Sequence, residues 1–231
     1  MTGILYGVGL GPGDPDLITR RAARLIEQAE VVAYPSLAGG DSLARSIAAD
    51  LIAPDAREIR MDVPMTRDRA PAQAAYDAGA DAIAAELGAG RDVVCLCEGD
   101  PFLYGSFMYL FARLRGRFEV EIVPGVTSVT ACAARAAMPL AARDEVVTIL
   151  PGPLPDDALR RHLRAADTLV VMKVGRHLRR LRMLLSEEGL SGTYIERATL
   201  GAERVLPLSE APDDAPYFSM ILITKGADPW L

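Results

Sequence analysis

The chain has 231 residues, 50% of them hydrophobic and 24% charged, which is the balance of a globular protein with a sizeable core and excludes a disordered one. Its formal net charge of −6 argues against a general nucleic-acid binder, which carries a basic excess. No apolar stretch is long enough to span a bilayer, and no basic segment followed by an apolar run opens the sequence. The expectation is a cytoplasmic protein with neither a nucleic-acid nor a membrane partner.

Residues 3–8 read as a short apolar strand that runs into Gly7-Val8-Gly9-Leu10-Gly11-Pro12-Gly13-Asp14-Pro15. A helix should follow, with Asp14 accepting from free first-turn amides and Pro15 at the first helical position. A second strand is expected at 31–34. The next helix begins near Asp41 or Ser42, with Leu43, Ile47 and Leu51 on one face. Pro71 opens an alanine-rich helix ending near Gly88 and Gly90, and Val93 to Cys97 reads as a buried strand. Phe107, Leu110, Phe111 and Leu114 mark another helix. Strands alternating with helices of this length indicate a mainly parallel sheet covered on both faces.

Near Arg115-Gly116-Arg117-Phe118 the chain turns polar, and a domain boundary is expected there, giving α/β domains over 1–116 and 117–231. The second series starts with a strand at 119–123, the loop Pro124-Gly125-Val126 and a helix from Thr127 or Ser128 to Ala137. Strands at 146–150 and 168–173 are each followed by a helix. Runs at 193–199, 203–207 and 217–224 have no helix-length segment between them, so they should pair antiparallel at the end of a mixed sheet.

Cys95, Cys97 and Cys132 read as buried, inert thiols, since the first two alternate along one strand face. No metal site is expected, because His162 and His177 lie in arginine-rich, helix-like segments. Basic residues cluster at Arg113, Arg115 and Arg117 and again at Arg176, His177, Arg179, Arg180 and Arg182. Such clusters suit either a small polyanion or ordinary solvated helix faces.

The loop from Gly7 to Gly13 invites a nucleotide reading, because glycines admit close backbone approach and a helix amino terminus attracts anions. Two tests count against it. The dinucleotide fingerprint needs a glycine where Pro12 stands, and the phosphate loop needs Gly-Lys-Ser/Thr where Gly-Asp-Pro stands. Glu98-Gly99-Asp100-Pro101 lies past the carboxyl end of a buried strand, where open α/β sheets place ligands. A tight turn with Asp100 capping the next helix explains the same residues. Thr127 and Ser128 can likewise cap a helix or reach a ligand.

In this order and at these separations, Gly9-Leu10-Gly11-Pro12-Gly13-Asp14-Pro15, Gly99-Asp100-Pro101 and Pro124-Gly125-Val126-Thr127-Ser128 resemble the tetrapyrrole methylases over nearly the whole chain. The stretches from Gly99 to Leu110, from Val171 to Arg176 and from Tyr217 to Leu222 are most similar to the branch that methylates C20 of precorrin-2 in cobalamin biosynthesis. Its cobalt-containing counterpart is an alternative substrate. Uroporphyrinogen methylases carry an extra glycine where this chain has Glu98.

The resemblance implies two α/β domains, a first with a mainly parallel sheet and a second with a mixed sheet. It further implies an active site in the cleft between them, a homodimer, and S-adenosylmethionine as methyl donor. Carried over position by position, the cofactor contacts are Pro12, Gly99, Asp100, Leu103, Thr127, Ser128, Met172 and Ala202. For the tetrapyrrole, Tyr104 and Ser106 are the polar candidates beside the motif, and Arg67, Arg69 and Arg176 are candidates to hold its carboxylates. No catalytic acid or base is assigned. Two readings from other classes stay open: a nicotinamide-dependent oxidoreductase and a non-catalytic tetrapyrrole carrier.

Overall fold

The fold comes from a computed structural model that describes residues 2–64 and 68–225. The chain forms two compact units, divided between Thr127 and Ser128.

The first unit carries a five-stranded sheet in the order β3-β2-β4-β1-β5, with every pairing parallel. Its strands are β1 (Leu5–Gly9), β2 (Val31–Leu37), β3 (Arg57–Val63), β4 (Val93–Cys97) and β5 (Val120–Val123). The central strand β4 is an unbroken apolar run buried at all five positions, as a strand covered on both faces must be. Alternation sorts its side chains. Cys95 and Cys97 face α3 (Ala70–Gly88) and α4 (Phe107–Leu114), packing with Tyr76, Ile83, Leu87, Phe107 and Leu110. Val94 and Leu96 face the opposite way, with Ala22 and Ile26 of α1 (Arg20–Glu27) and Ala44 and Ile47 of α2 (Leu43–Ile47). The three cysteines are buried and unpaired, and burial pushes the Cys97 thiol up to about 11.

Two expectations are corrected, and one strand is added. The helix expected from Pro15 starts later: Asp14 accepts from the Asp16 amide and holds only a short turn over Pro15–Leu17, and Thr19 then caps α1 by accepting from the Ala22 amide. Strand β3 was not anticipated. Its Ile59, Met61 and Val63 pack on the core, but Glu58, Arg60 and Asp62 alternate with them and, with Arg57 at the strand start, give the stretch a solvated look. Those charges are paired: Arg57 with Glu86, Arg45 with Glu58, and Arg60 with Asp62. Charged side chains on an edge strand also discourage pairing with another chain. Finally, the boundary at 116/117 moves to 127/128, because the strand expected to open the second domain is β5, which pairs with β1 along Leu5–Val120 to Val8–Val123.

The second unit begins with α5 (Ser128–Arg135) and holds a sheet in the order β6-β7-β10-β8-β9. Strands β6 (Val147–Pro151) and β7 (Thr168–Met172) are parallel. Strands β8 (Thr193–Glu196), β9 (Arg204–Pro207) and β10 (Ser219–Thr224) add by antiparallel pairing, as expected from the missing helices between them. Helices α6 (Asp156–Ala165) and α7 (Leu178–Glu187) bury Leu159, Leu163, Leu181 and Leu185 against Leu169, Val171, Tyr194 and Ile221. Glu196, 3% exposed, accepts from the Tyr194 hydroxyl at 2.5 Å, with the Arg197 and Arg204 guanidiniums 3.5 and 3.7 Å away.

Gly7 shows how tightly the first unit is packed: a Cβ there would lie 2.5 Å from Cζ of the buried Phe107 ring. Gly7→Ala should therefore cost about 1–3 kcal/mol of stability, read from the urea midpoint. Phe107→Leu in the same chain should recover part of that loss. Strict additivity of the two would show that the ring is not what the new methyl meets.

Candidate active site

The strand order contains a switch point. From β1 the chain leaves toward β2, and from the adjacent β4 it leaves toward β5, so the segments after these neighbours depart in opposite directions. Open α/β sheets receive ligands outside the carboxyl ends of their strands at such a point. The two segments here are Gly9-Leu10-Gly11-Pro12 and Glu98-Gly99-Asp100-Pro101.

Main chain lies on main chain at this point. Gly11 and Gly99 exchange two backbone hydrogen bonds, at 2.7 and 3.2 Å, and both have left-handed φ, +77° and +66°. A Cβ on Gly9 would sit 2.6 Å from the Gly125 nitrogen and 2.7 Å from the Gly99 oxygen, and one on Gly125 would overlap that same oxygen. Only glycine lets the three segments meet. On its other side Gly99 has nothing within 4 Å of where a Cβ would be, so its backbone faces open space. A small ligand can rest directly on that main chain.

Asp100 holds the junction. Its Oδ1 accepts from the amides of Phe102 at 2.9 Å and Leu103 at 3.2 Å, and its Oδ2 accepts from the Gly125 amide at 3.2 Å. The tight turn expected at Asp100 is present, but Asp100 does not cap the next helix: α4 begins at Phe107, behind Ser106, without a side-chain cap. The reach across to Gly125 is a role no local spacing could show. Glu98, half-buried, continues the alternation of β4 toward α2, and its carboxyl accepts from its own amide and that of Ala44. Burial pushes this carboxyl above its ordinary value of 4.5.

Beyond Pro101 the loop exposes Phe102 and Tyr104, at 46% and 41%. Tyr104 is held at φ +57°, a strained conformation for a bulky residue. The Phe102 ring meets Phe111 edge-on at 5.1 Å. Leu103 is half-buried beside them. Ser106, half-buried, has Tyr76 and Cys97 as side-chain partners.

Pro12 is half-buried in the segment after β1. Thr127 and Ser128, both half-buried, stand at the division between the units, Ser128 as the first residue of α5. In the second unit Met172 ends β7, and Ala202 is exposed in the connection from β8 to β9. Left-handed non-glycine residues gather near both: Lys173 at φ +57°, Arg197 at +49° and Thr199 at +67°. Arg176 is exposed at the end of the same β7 connection, with its Nε 3.5 Å from His177 Nε2. Arg69 is exposed ahead of α3, and Arg67 lies outside the described residues.

Most other clustered arginines are committed elsewhere. Arg113 binds Asp77 and Gln73, and Arg115 and Arg117 stack over Phe111 and Phe118. Arg180 holds the Gly152 and Leu154 carbonyls and Asp156, and Arg182 holds the Ala211 carbonyl and Asp213. Among the described residues no group of three or more His, Cys, Asp or Glu side chains is arranged to hold a metal ion.

This geometry defines an α/β protein with bare backbone exposed at a strand switch point. The chain belongs to the Tetrapyrrole (Corrin/Porphyrin) Methylases, whose family model matches residues 4–212. It is 46% identical over 235 residues to the cobalamin biosynthesis protein CobIJ of Mycobacterium tuberculosis, covering 97% of this chain and 46% of that one. The chain thus spans about half the length of that relative. It is 40% identical over 237 residues to a precorrin-2 C(20)-methyltransferase of a Sinorhizobium species, covering 98% of this chain and 97% of the relative. Among solved structures it is similar to uroporphyrin-III C-methyl transferase of Thermus thermophilus complexed with S-adenosyl homocysteine. There the TM-score is 0.69 and the identity 26%, over 96% of this chain and 92% of that one.

Two outcomes test the junction. Asp100→Asn keeps one oxygen for the Phe102 and Leu103 amides but turns a donor toward the Gly125 amide. It should cost about 1–3 kcal/mol and speed hydrogen exchange at that amide. Glu98 gives a pH signature. Because its folded pKa is raised, its contribution to stability is full below the unfolded value and falls as pH rises through the folded one. Glu98→Gln should therefore gain on the wild type as pH is raised from about 4 toward neutrality. Parallel urea midpoints across that range would contradict this.

Proposed function

We propose that the chain is an S-adenosylmethionine-dependent C-methyltransferase acting on the C20 meso carbon of precorrin-2. The observation that carries the reading is the open, left-handed Gly99 backbone at the switch point, clamped by Asp100. The 40% identity to a precorrin-2 C(20)-methyltransferase over nearly the full length of both chains supports the choice of substrate.

The residues fit such a cofactor. Gly99 offers main chain that no side chain covers, Pro12 and Leu103 offer apolar surface beside it, and Thr127 and Ser128 offer hydroxyls. Met172 and Ala202 are further cofactor contacts proposed from the family resemblance. When bound, S-adenosylmethionine supplies an electrophilic methyl group with a neutral leaving group. What the protein must add is alignment, and well-oriented reactants reach effective molarities on the order of 10⁵ M or more. Asp100 serves that end by fixing three backbone amides at once. It acts through the loop it holds, as a positioning residue.

The proposed substrate is a reduced tetrapyrrole polycarboxylate. Phe102 and Tyr104 present exposed aromatic surface beside Gly99, and Tyr104 adds a hydroxyl. Arg69, Arg176 and Arg67 are the cations proposed for its carboxylates, supplying local positive charge on an acidic chain. Ser106, turned to Tyr76 and Cys97, is the weakest of the substrate contacts. The same reading takes the chain as a cytoplasmic homodimer, the latter testable by sedimentation. Among the described residues no helix is long and apolar enough to cross a membrane.

The test is anaerobic incubation of the purified chain with methyl-labelled S-adenosylmethionine and precorrin-2 or its cobalt form. Label in the tetrapyrrole, with S-adenosylhomocysteine formed in equal amount, is the expected result. Transfer only to the cobalt form would move the substrate, and tetrapyrrole binding without transfer would make the chain a carrier. Calorimetric binding of NADH in place of S-adenosylhomocysteine would return the oxidoreductase reading. Asp100→Asn should lower kcat/KM about 10- to 100-fold, since misplacement of about 1 Å has such consequences.

A further inference from the structure

We propose that Arg135 and Glu203 form a positioning pair that sets the loop between β8 and β9 against α5, and so fixes the spacing of Ala202 and Ser128, the two cofactor contacts proposed at these elements. This rests on the methyltransferase reading, because Ser128, Thr127 and Ala202 are cofactor contacts only within it.

The geometry is specific. Arg135 is the last residue of α5, and its Nε lies 2.7 and 2.9 Å from the two carboxylate oxygens of Glu203, with Nη2 2.7 Å from Oε1. A planar guanidinium meeting a carboxylate through two nitrogens is the strong, directional form of this contact. The Glu203 side chain is 15% exposed, which sets the pair apart from a fully solvated surface bridge.

The same carboxylate reaches into the loop. Its Oε2 accepts from the Thr199 amide at 2.6 Å, and Thr199 is the residue at φ +67°. A β-branched residue seldom occupies that region, so the surrounding contacts must hold it there. The loop is closed further by the Leu200 amide donating to the Arg197 carbonyl at 2.9 Å and the Glu203 amide donating to the Leu200 carbonyl at 3.0 Å. Cys132, one turn back along α5, is buried, and burial together with the Glu203 charge pushes its thiol up to about 12. Through Arg135 and the Thr199 amide the carboxylate is tied to the helix as well as the loop.

The two ends of this arrangement carry the proposed contacts. Ser128 opens α5 and Arg135 closes it, about 10 Å away on an eight-residue helix. Ala202 directly precedes Glu203 in the loop. With Arg135 bound to Glu203 the helix and loop move as one piece. Without that pair, the strained Thr199 conformation loses one of its supports, and the Ala202 backbone is free to shift relative to Ser128.

The test is calorimetric binding of S-adenosylhomocysteine to the intact chain and to Arg135→Met, Arg135→Lys, Glu203→Gln and the Arg135→Met/Glu203→Gln double variant. Arg135→Met and Glu203→Gln should each raise Kd about tenfold. The double variant should be no worse than either single one, and Arg135→Lys should fall between wild type and Arg135→Met. The KM for the tetrapyrrole should stay within about twofold, a split that general destabilisation would not produce. Wild-type binding with unchanged Kd in the single variants, or additive losses in the double one, overturns the pair alone. A wild type that does not bind S-adenosylhomocysteine overturns the site reading and the pair with it. If a variant folds poorly, hydrogen exchange of the wild type decides: protection of the Thr199 amide should rise on binding, and an unchanged rate overturns the proposal.

Discussion

Everything at the switch point depends on three stretches of backbone meeting with no side chain between them. Gly9, Gly99 and Gly125 come from the ends of β1, β4 and β5, and a single methyl at Gly9 or Gly125 would collide with main-chain atoms of the others. Bare backbone alone would be a loose joint, since glycine gives up more conformational freedom on folding than any other residue. Asp100 offsets this by accepting from three amides with one carboxylate. Main-chain contact and one carboxylate together make a rigid floor whose open side is the Gly99 peptide.

How much of this was legible follows from where the physical signal lay. Strand β4 and helix α4 were plain, because burial on all sides or along one stripe leaves an apolar pattern of the right period. The antiparallel end of the second sheet was plain from the absence of helices. Strand β3 also had a period-two pattern in Ile59, Met61 and Val63, but its charged partners find ion pairs that the local sequence does not show. The boundary was misplaced because a strand's sheet is decided by its partner, and Val120 to Val123 lie against β1, more than a hundred residues away.

The site divides in the same way. Motif residues that act through backbone, such as Gly99, stood out because glycine and proline at fixed offsets have few explanations. Asp100 was recognised, but its hold on Gly125 spans 25 residues and left no trace in spacing. Ser106 was a polar candidate by its place beside the motif, and its neighbours Tyr76 and Cys97 lie 30 and 9 residues back along the chain, out of reach of local spacing. The arginine clusters were the least informative feature, because a guanidinium reaches far enough to satisfy a carbonyl, a carboxylate or a ring, and here most do so within their own unit. A run of like charges along the sequence does not imply a positive surface.

The junction also governs how this chain can vary. Segments locked main chain to main chain have no slack, so inserting or deleting even one residue in 9–13, 98–101 or 124–125 would throw all three out of register. Connections such as 136–146, which lie outside that junction, carry no such restriction. Changes of length are therefore tolerated in the outer loops. The junction can change only by substitution at constant length, and at Gly9 and Gly125 not even that.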